Sequence, residues 1–356
     1  MLNPYEGLPE TAFWKTAIGT RAPMEIAGLW SPKWPLSKSD PVSTAGSCFA
    51  QHIGRALSKA GYSWFDAEPA PAILPEDIRR NFNYGIFSFR TGNIYTVALL
   101  LQWLNWALGR LSPPNEVWEA DGRFYDPFRP AIEPNGFASK SELSASRQAT
   151  LEAIKRSVTE SSVFVFTLGL TEAWLNRGEG YVYPMCPGTV AGCFNANLHE
   201  FHNYRYSEIR RDLEAAIALM KSVNRSIKLL LTVSPVPLTA TAANKHVLVA
   251  TTQSKSTLRA VAGDLADARD DVDYFPSFEI ISSFPFRGMF YEKNMRSVAV
   301  AGVEFVMTSF FAGMKVSNSA AAQGTSQAES VRQVDPARDE EDVICEDIAL
   351  EAFVGA

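Results

Sequence analysis

Ser47 and Cys48 stand side by side where a strand is expected to run into a helix. The residues before them, 41–44, form a short apolar stretch, and Gly46 permits a tight turn. The start of a helix offers unsatisfied N–H groups and a positive dipole end, which lower a thiol's pKa and stabilise a developing oxyanion. This pattern is typical of a nucleophile turn, with Cys48 or Ser47 as nucleophile. The alternative is that Ser47 caps the helix and Cys48 packs in the core.

The elements around this turn alternate between buried strands and amphipathic helices. The apolar run 163–168 is typical of a central strand in a parallel sheet covered on both faces, and 227–233 is predicted to be a second buried strand. A shorter strand is expected at 272–275. Apolar spacing predicts helices over 96–108, 141–157, 207–222, 246–269 and 297–311. The alternation predicts an α/β fold, a doubly wound and mostly parallel sheet in a single domain with loop insertions.

Three motifs rich in Gly, Ser, Thr and Pro each follow a predicted strand. They are Gly-Ser-Cys-Phe-Ala at 46–50, Gly-Leu-Thr-Glu at 169–172 and Ser-Pro-Val-Pro at 234–237. In an open parallel sheet, the carboxyl ends of the strands meet at one edge, where the active crevice lies. The sequence therefore predicts that the three motifs share one site.

These motifs, taken in order, resemble the GSCFA-domain family. The matching segments are 45–50, Asn-Ile-Tyr-Thr at 93–96, 169–172, 233–236 and Tyr-Phe-Pro-Ser-Phe-Glu at 274–279. The resemblance spans residues 40–312 and implies an SGNH, or GDSL-like, hydrolase scaffold of flavodoxin-like type. The chemistry it implies is acyl-ester hydrolysis or acyl transfer. Laid on the superfamily's Gly-Asp-Ser block, residues 46–48 put Cys48 at the nucleophile position.

The resemblance also implies an oxyanion hole, to which the superfamily's second block contributes a glycine N–H. Gly92, which precedes Asn93, matches this block better than Gly85 does. The alternative interpretation of either glycine is a turn that needs a positive φ.

The third and fourth blocks depart from the superfamily pattern. Where Gly-x-Asn-Asp is usual, Gly169 begins Gly-Leu-Thr-Glu, so Thr171 would donate through its hydroxyl, and Glu172 would orient a histidine or cap a following helix. Where Asp-x-x-His is usual, the chain has Asn294–Ser297, and neither Asn nor Ser takes a proton near neutral pH. Arg296 at this place could bind a phosphate or carboxylate bidentately, or pair with Glu172.

Four histidines could replace the missing base. His246 follows the Ser-Pro-Val-Pro strand end and is the first choice; His202 and His199, in an insertion that can overhang the crevice, come next. Their His-x-x-His spacing would also suit a metal, but no third ligand is in view, so neither metal nor cofactor is predicted. His52 shares a helix face with Cys48. For each, the alternative is an ordinary hydrogen-bonded histidine.

Charge is distributed unevenly along the chain. The net charge is −6, and all of it falls in residues 314–356, which hold nine acidic and three basic side chains. A neutral body gives no electrostatic footprint for nucleic acid. The tail is predicted to be disordered because it has little apolar surface to bury, although 343–354 could form a short amphipathic helix on a partner. Residues 1–40 are expected to form an arm packed on the core, and 41–313 the α/β domain.

The remaining composition favours a cytoplasmic protein. Four cysteines in 356 residues are too few for a disulfide framework. The first 14 residues lack a basic stretch followed by an apolar run, and the longest apolar stretch, 97–108, is too short to span a bilayer.

The sequence thus predicts an SGNH-type acyl-ester hydrolase or O-acyltransferase. Cys48 would be the nucleophile, and Gly92 and Thr171 would help to form the oxyanion hole. The expected substrate is a small-molecule or carbohydrate acyl compound, with an acyl-coenzyme A donor suited to Arg296. The alternative is a catalytically degenerate binding protein for a carbohydrate or acyl-type ligand. The sequence leaves the oligomeric state open.

Overall fold

Strands alternate with helices in the fold, which is described by a computed structural model over residues 3–321 and 345–354. The strands are β1 (Val42–Gly46), β2 (Trp118–Ala120), β3 (Arg123–Tyr125), β4 (Val163–Leu168), β5 (Glu172–Asn176), β6 (Val182–Tyr183), β7 (His199–Asn203), β8 (Lys228–Val233) and β9 (Val272–Phe275). The helices are α1 (Ala50–Lys59), α2 (Glu76–Arg79), α3 (Val97–Ala107), α4 (Lys140–Glu160), α5 (Tyr206–Val223), α6 (Val247–Ala268), α7 (Ser277–Ser282) and α8 (Val300–Ala321). A 3-10 helix, Glu346–Phe353, lies near the C-terminus.

Contacts between residues divide the chain into two units. The larger unit consists of Lys38–Tyr274 and Val343–Ala356, and it contains every motif that follows a strand end. The smaller unit consists of Met1–Ser37 and Phe275–Asp342. The predicted boundaries of arm, domain and tail stay predictions.

Four parallel strands form the central sheet, in the order β1, β4, β8, β9. Val42 of β1 pairs with Val163 of β4, and Val163 pairs in turn with Lys228 of β8. All residues of β4 are buried, because helices lie on both sides of the sheet, and all of them but Thr167 are apolar. The predicted α/β fold with a parallel sheet is therefore confirmed.

The direction in which strands are added reverses at β1. One edge of β1 pairs with β4, while its other edge carries a parallel bridge from Val42 to Trp64, which follows α1. The crevice of a doubly wound sheet lies at such a switch point, beyond the carboxyl ends of the strands. Here the switch point falls at Gly46 and Leu168, where β1 and β4 end.

The helices of the larger unit follow the apolar periodicity of the sequence. The buried apolar residues of α5 recur at helical spacing within the predicted range 207–222. They are Ile209, Leu213, Ala216, Ile217 and Met220. α3 begins after Thr96, whose hydroxyl accepts from the N–H of Leu99 and so caps the helix.

Two small sheets depart from the sequence-based expectation of loop-rich segments. β2 and β3 form an antiparallel hairpin, and β6, β5 and β7 form a three-stranded antiparallel sheet in that order. Strands of two to five residues between glycines and prolines carry too few alternating apolar positions to be recognised.

The chain after Gly313 differs from the predicted disordered tail in two places. α8 continues past Gly313 to Ala321, and the 3-10 helix Glu346–Phe353 belongs to the larger unit. The apolar stretch near the C-terminus therefore finds a surface on its own chain. The prediction of disorder for 322–344 falls outside the described residues.

An aromatic cluster joins the N-terminal residues to α8 within the smaller unit. The ring of Trp30 stacks on Phe310 with centroids 5.2 Å apart and meets Phe275 edge-on at 5.1 Å. Gly313 leaves room for this indole, since a Cβ there would lie 2.9 Å from it. The N-terminal segment is thus held by burial of aromatic surface.

A buried ion-pair network supports the loop before α3. Asp126 accepts hydrogen bonds from Arg129 at 2.9 Å and from Arg147 at 2.7 Å. Burial raises the pKa of the Asp126 carboxyl, but the two guanidinium groups outweigh it, so this pKa lies below its usual range. Arg129 also donates to the carbonyl oxygen of Arg90 at 3.3 Å. The network therefore helps to fix the backbone two residues before Gly92.

β1 ends in a contact that only glycine allows. Gly46 has a φ of +129° and lies in register with Thr167 of β4. A Cβ on Gly46 would lie 2.3 Å from the carbonyl oxygen of Thr167 and 2.7 Å from its nitrogen. The turn into α1 therefore starts in direct backbone contact with β4.

We expect Gly46→Ala to destabilise the fold by more than about 3 kcal/mol, because the ends of β1 and β4 must separate to admit a methyl group. Gly61→Ala is the matched control. Gly61 also has a positive φ, of +73°, but nothing lies within 4 Å of its Cβ position, so only backbone strain of roughly 1–2 kcal/mol is expected. Urea denaturation measures both changes, and equal losses would show that the contact with Thr167 is unimportant.

Asp126→Asn should lower the free energy of unfolding near neutral pH by about 3–5 kcal/mol, since two buried guanidinium groups lose their carboxylate. Because the folded-state pKa of Asp126 is depressed, the stability it contributes is present above its unfolded pKa of about 4 and is lost as the pH falls through the folded value.

Urea titrations at neutral and acidic pH test this expectation, and the deficit of the variant should shrink in acid. Glu160→Gln, which removes an exposed pair with Arg156, is the control and should cost less than about 1 kcal/mol. A deficit that is constant with pH would contradict the assignment.

Candidate functional site

The predicted nucleophile turn lies at the carboxyl end of β1. The N–H of Ser47 donates to the carbonyl oxygen of Thr167 at 3.0 Å, and the N–H of Ala50 donates to the carbonyl oxygen of Ser47 at 2.9 Å. The second bond closes a turn over Ser47–Ala50 that leads into α1, and Cys48 lies in this turn, two residues before the helix, with 3% of its surface exposed. The Oγ of Ser47 bonds to none of the described residues, so this hydroxyl does not cap α1.

The Asn93–Tyr95 segment runs alongside this turn. The N–H of Ile94 donates to the carbonyl oxygen of Gly46 at 2.8 Å. The carbonyl oxygen of Tyr95 accepts from the N–H groups of Gly169 at 3.2 Å and Leu170 at 2.8 Å. Backbone hydrogen bonds to the Asn93–Tyr95 segment therefore join the ends of β1 and β4.

Gly169 lies where these segments approach most closely. A Cβ there would lie 2.8 Å from Cβ of Ser47. Lys255 of α6, only 1% exposed, donates from Nζ to the carbonyl oxygen of Gly169 at 2.7 Å. The N–H of Thr171 donates to Oγ of Ser254 at 3.0 Å. α6 thus holds the turn after β4 and brings a positive charge to it.

Hydroxyl groups without hydrogen bonds collect at this edge of the sheet. The side-chain oxygens of Ser47, Thr167 and Thr171 are buried and bond to none of the described residues. Leaving a buried hydroxyl unpaired costs free energy in a folded protein. Three such groups at the ends of β1 and β4 are typical of a site that takes a polar ligand.

A carboxylate of the chain itself occupies the turn at Gly92. Oε2 of Glu346 accepts from the N–H of Asn93 at 3.2 Å and from its Nδ2 at 3.3 Å. A Cβ on Gly92 would lie 2.4 Å from Oε1 of Glu346. Gly85 also has a positive φ, but nothing lies within 4 Å of its Cβ position. Gly92 therefore leaves room for an anion, whereas Gly85 serves an open turn.

A largely apolar pocket of about 590 Å³ adjoins the motifs. Its walls come from the Asn93–Tyr95 segment, the Gly-Leu-Thr-Glu motif, the β5–β7 sheet, the loop after β8 and the C-terminal segment. They include Tyr95, Leu170, Trp174, Phe201, Leu238 and Phe353. This volume suits a small-molecule ligand with an apolar portion.

Glu172 lies in the wall of this pocket. Its carboxylate accepts from the Thr241 hydroxyl at 2.7 Å. Burial raises the pKa of Glu172, while hydrogen bonds from Thr241 and the Ala242 backbone and the charge of Lys245 act in the opposite direction. Strand β5 begins at Glu172, so the prediction that it caps a following helix is wrong. Its orientation of a histidine stays a prediction.

His199 and His202 lie three residues apart in β7. At this separation on a strand, two side chains project from opposite faces, so the spacing does not form a metal-binding pair. Nδ1 of His199 accepts from the N–H of Asn195 at 3.1 Å, and Nε2 of His202 bonds to Glu208 at 3.0 Å. Both rings are therefore engaged in hydrogen bonds to residues nearby in the sequence.

The other two histidines lie on helices. His246 is exposed, and its Nδ1 accepts from the N–H of Leu248 at 3.2 Å, which caps α6. His52 packs against Phe49, and burial and the charge of Arg55 lower its pKa to about 4. At neutral pH His52 is thus a weak base. The choice of general base among the histidines stays a prediction.

The segment in place of Asp-x-x-His forms a self-contained turn in the smaller unit. Oδ1 of Asn294 accepts from the N–H groups of Arg296 at 3.0 Å and Ser297 at 2.9 Å, and its Nδ2 donates to Oγ of Ser297 at 3.0 Å. Asn is favoured at the start of such turns, which gives it a structural role here. Binding of an anion by Arg296 stays a prediction.

Two charged residues at the site, Lys255 and Glu346, are not among those predicted from the sequence. Lys255 lies on the buried face of α6 with Leu258 and Ala262, and a lysine at an apolar helical position is a usable signal of a buried charge. Glu346 carries no such signal, because its neighbours resemble the rest of an acidic tail.

The described residues contain neither a metal-binding cluster nor a membrane-spanning helix. Among the described residues, no group of three or more His, Cys, Asp and Glu side chains is placed to hold a metal ion. No helix within 3–321 or 345–354 is long and apolar enough to cross a membrane.

The chain was compared with known proteins, solved structures and protein families, and it matches one family. No curated protein matches the chain. Among solved structures, the chain is similar to a crystal structure of an acetyl esterase mutant with an acetate ion, with 10% sequence identity and a TM-score of 0.34, over 80% of this chain and 100% of that chain. The sequence pattern of the GSCFA family matches residues 41–310. This match extends from the start of β1 into α8 and takes in every motif at the strand ends, and the chain therefore belongs to the GSCFA family.

Proposed function

We propose that this chain is an SGNH-type acyl-ester hydrolase or O-acyltransferase with Cys48 as its nucleophile. The observation that carries the proposal is the carboxylate bound at Asn93, next to the segment that hydrogen-bonds to Gly46 of the nucleophile turn. A bound carboxylate resembles an acyl product in shape and charge. N–H donors that hold it are suited to stabilise the oxyanion formed during acyl transfer.

The proposed reaction has two steps. First, the Cys48 thiol gives its proton to water and Sγ bonds to the acyl carbonyl carbon. The carbonyl electron pair moves to an oxygen held by the backbone N–H groups of Cys48 and Asn93 and by Nδ2 of Asn93. Gly92 keeps this place open, and the Thr171 hydroxyl adds a donor. The intermediate then collapses, the alcohol leaves with a proton from water, and a thioester remains. In the second step water or an acceptor hydroxyl attacks the thioester and frees the thiol.

Positive potential near the turn favours a reactive thiol, and the contacts of the histidines favour a particular class of leaving group. The start of α1 and the Lys255 ammonium at Gly169 both add positive potential near the turn. The candidate bases His246, His202 and His199 all bond to other groups. Substrates whose leaving group departs without a proton, such as thioesters and activated esters, therefore suit the site best.

The pocket favours an apolar acyl group on a small molecule, including an acylated carbohydrate or an acyl-coenzyme A donor. We place the protein in the cytoplasm, where reducing conditions would keep Cys48 a free thiol.

The second candidate function is a binding protein that has lost its catalytic base. The turn at Asn294 favours it, because hydrogen bonds within the turn account for an Asn where an Asp would orient a histidine. Such a protein would hold a carbohydrate or acyl-type ligand in the same pocket.

Cys48→Ala should lower the hydrolysis of p-nitrophenyl butyrate by at least about 100-fold, since the covalent step is lost. Ser47→Ala should retain most activity. Mass spectrometry after rapid acid quenching should locate the butyryl group on Cys48 in the wild type. The opposite pattern would move the nucleophile to Ser47, and hydrolysis unaffected by either change would favour the binding protein.

Asn93→Ala removes Nδ2, the side-chain donor of the pair, and keeps the backbone N–H. It should lower kcat by about 10²–10³-fold with a small change in KM, because this donor acts mainly on the oxyanion. Asn197→Ala is the matched control, since Asn197 lies on an exposed turn of the same unit. Urea denaturation confirms that each variant folds. A loss expressed mainly in KM would show that Asn93 binds the ground state instead.

A further inference from the structure

We infer that residues 345–354 are an internal ligand of the proposed acyl site, which a substrate or a free carboxylate must displace. This inference rests on the proposed function for its link to catalysis. It adds a regulation of the site by its own chain and a ligand class, a monocarboxylate with an apolar chain.

The first argument is the environment of the Glu346 carboxylate. Only 8% of Glu346 is exposed, and Oε2 takes two hydrogen bonds from Asn93. A carboxylate leaves water only where donors replace its hydration. The turn at Gly92 provides those donors and, because it lacks a Cβ, the room for the second oxygen. Oε2 is thus held as an anion site holds its ligand, while Oε1 is buried and accepts no hydrogen bond from the described residues.

The second argument is the position of the apolar residues that follow. Leu350 and Phe353 both line the pocket that Tyr95 and Leu170 also line. They are three residues apart on the 3-10 helix Glu346–Phe353, where residues at that spacing share one side. The segment thus presents a carboxylate at the anion site and apolar groups at the pocket, as a fatty acid would.

The segment is also part of the same chain as the site. An attached ligand meets its site at a higher effective concentration than a dilute free ligand does. Weak contacts then suffice to keep the site occupied, and a free carboxylate must compete with the segment. Removing the Glu346 carboxylate should therefore favour both substrate and carboxylate binding.

The test compares Glu346→Ala with Glu351→Ala in the full chain. Glu351 is an acidic residue of the same 3-10 helix and is exposed, so it is a matched control for charge and helix propensity. Three quantities are measured for each protein: hydrolysis of p-nitrophenyl hexanoate, the rise in Tm caused by hexanoate, and hydrogen exchange over 345–354.

Glu346→Ala should raise kcat/KM about tenfold, because charge-assisted hydrogen bonds to the segment are lost. It should also bind hexanoate about tenfold more tightly than the wild type and should speed amide exchange in the segment. Glu351→Ala should match the wild type in all three. The inference is overturned if the two variants behave alike in hexanoate binding and exchange.

The outcomes separate this inference from the proposed function. If no protein hydrolyses the ester but Glu346→Ala alone gains hexanoate binding and faster exchange, the internal ligand stands and the hydrolase proposal fails. If hydrolysis is present and depends on Cys48 while the two variants remain alike, the hydrolase proposal stands and the internal ligand fails.

Discussion

The backbone of β1 meets that of β4 at Gly46 with no room for a side chain, and the site depends on this approach. Because the two strands touch there, the N–H of Ser47 can donate to Thr167, and Cys48 lies in the turn that leads into α1. The same closeness leaves the carbonyl oxygen of Gly46 to be met by Ile94. A side chain at this one position would separate the two strand ends and disturb everything they hold.

The central strands of this arrangement can be predicted from the sequence, but the small sheet beside the pocket and the long-range contacts of the site cannot. β4 was predictable to the residue because both faces of Val163–Leu168 are buried, so burial alone specifies the strand. The three-stranded sheet that walls the pocket was not, since its short strands, such as Val182–Tyr183, carry no periodic signal. Asn93 and Glu346 lie 253 residues apart in the sequence, and no local pattern encodes such a pairing.

The polar groups at the strand ends differ in what holds them. Lys255 is buried and donates to the carbonyl oxygen of Gly169, so that charge is built into the scaffold. The Ser47 and Thr171 hydroxyls bond to none of the described residues and remain available to a ligand. This contrast between fixed charges and available hydroxyls is what preorganisation requires, because groups that need not reorganise stabilise a transition state best.

The outer edge of β1 is paired in three separate pieces. Val42 bonds to the segment at Ser63, Thr44 to Ser88, and Gly46 to Ile94. An open strand edge is a template for aggregation, and here three loops cover it instead of one continuous strand. The segment that carries Asn93 is held at Ile94 by β1 and at Tyr95 by Gly169 and Leu170. The piece of chain that protects this end of the edge therefore also fixes the donors of the site, whereas the other two loops only protect the edge.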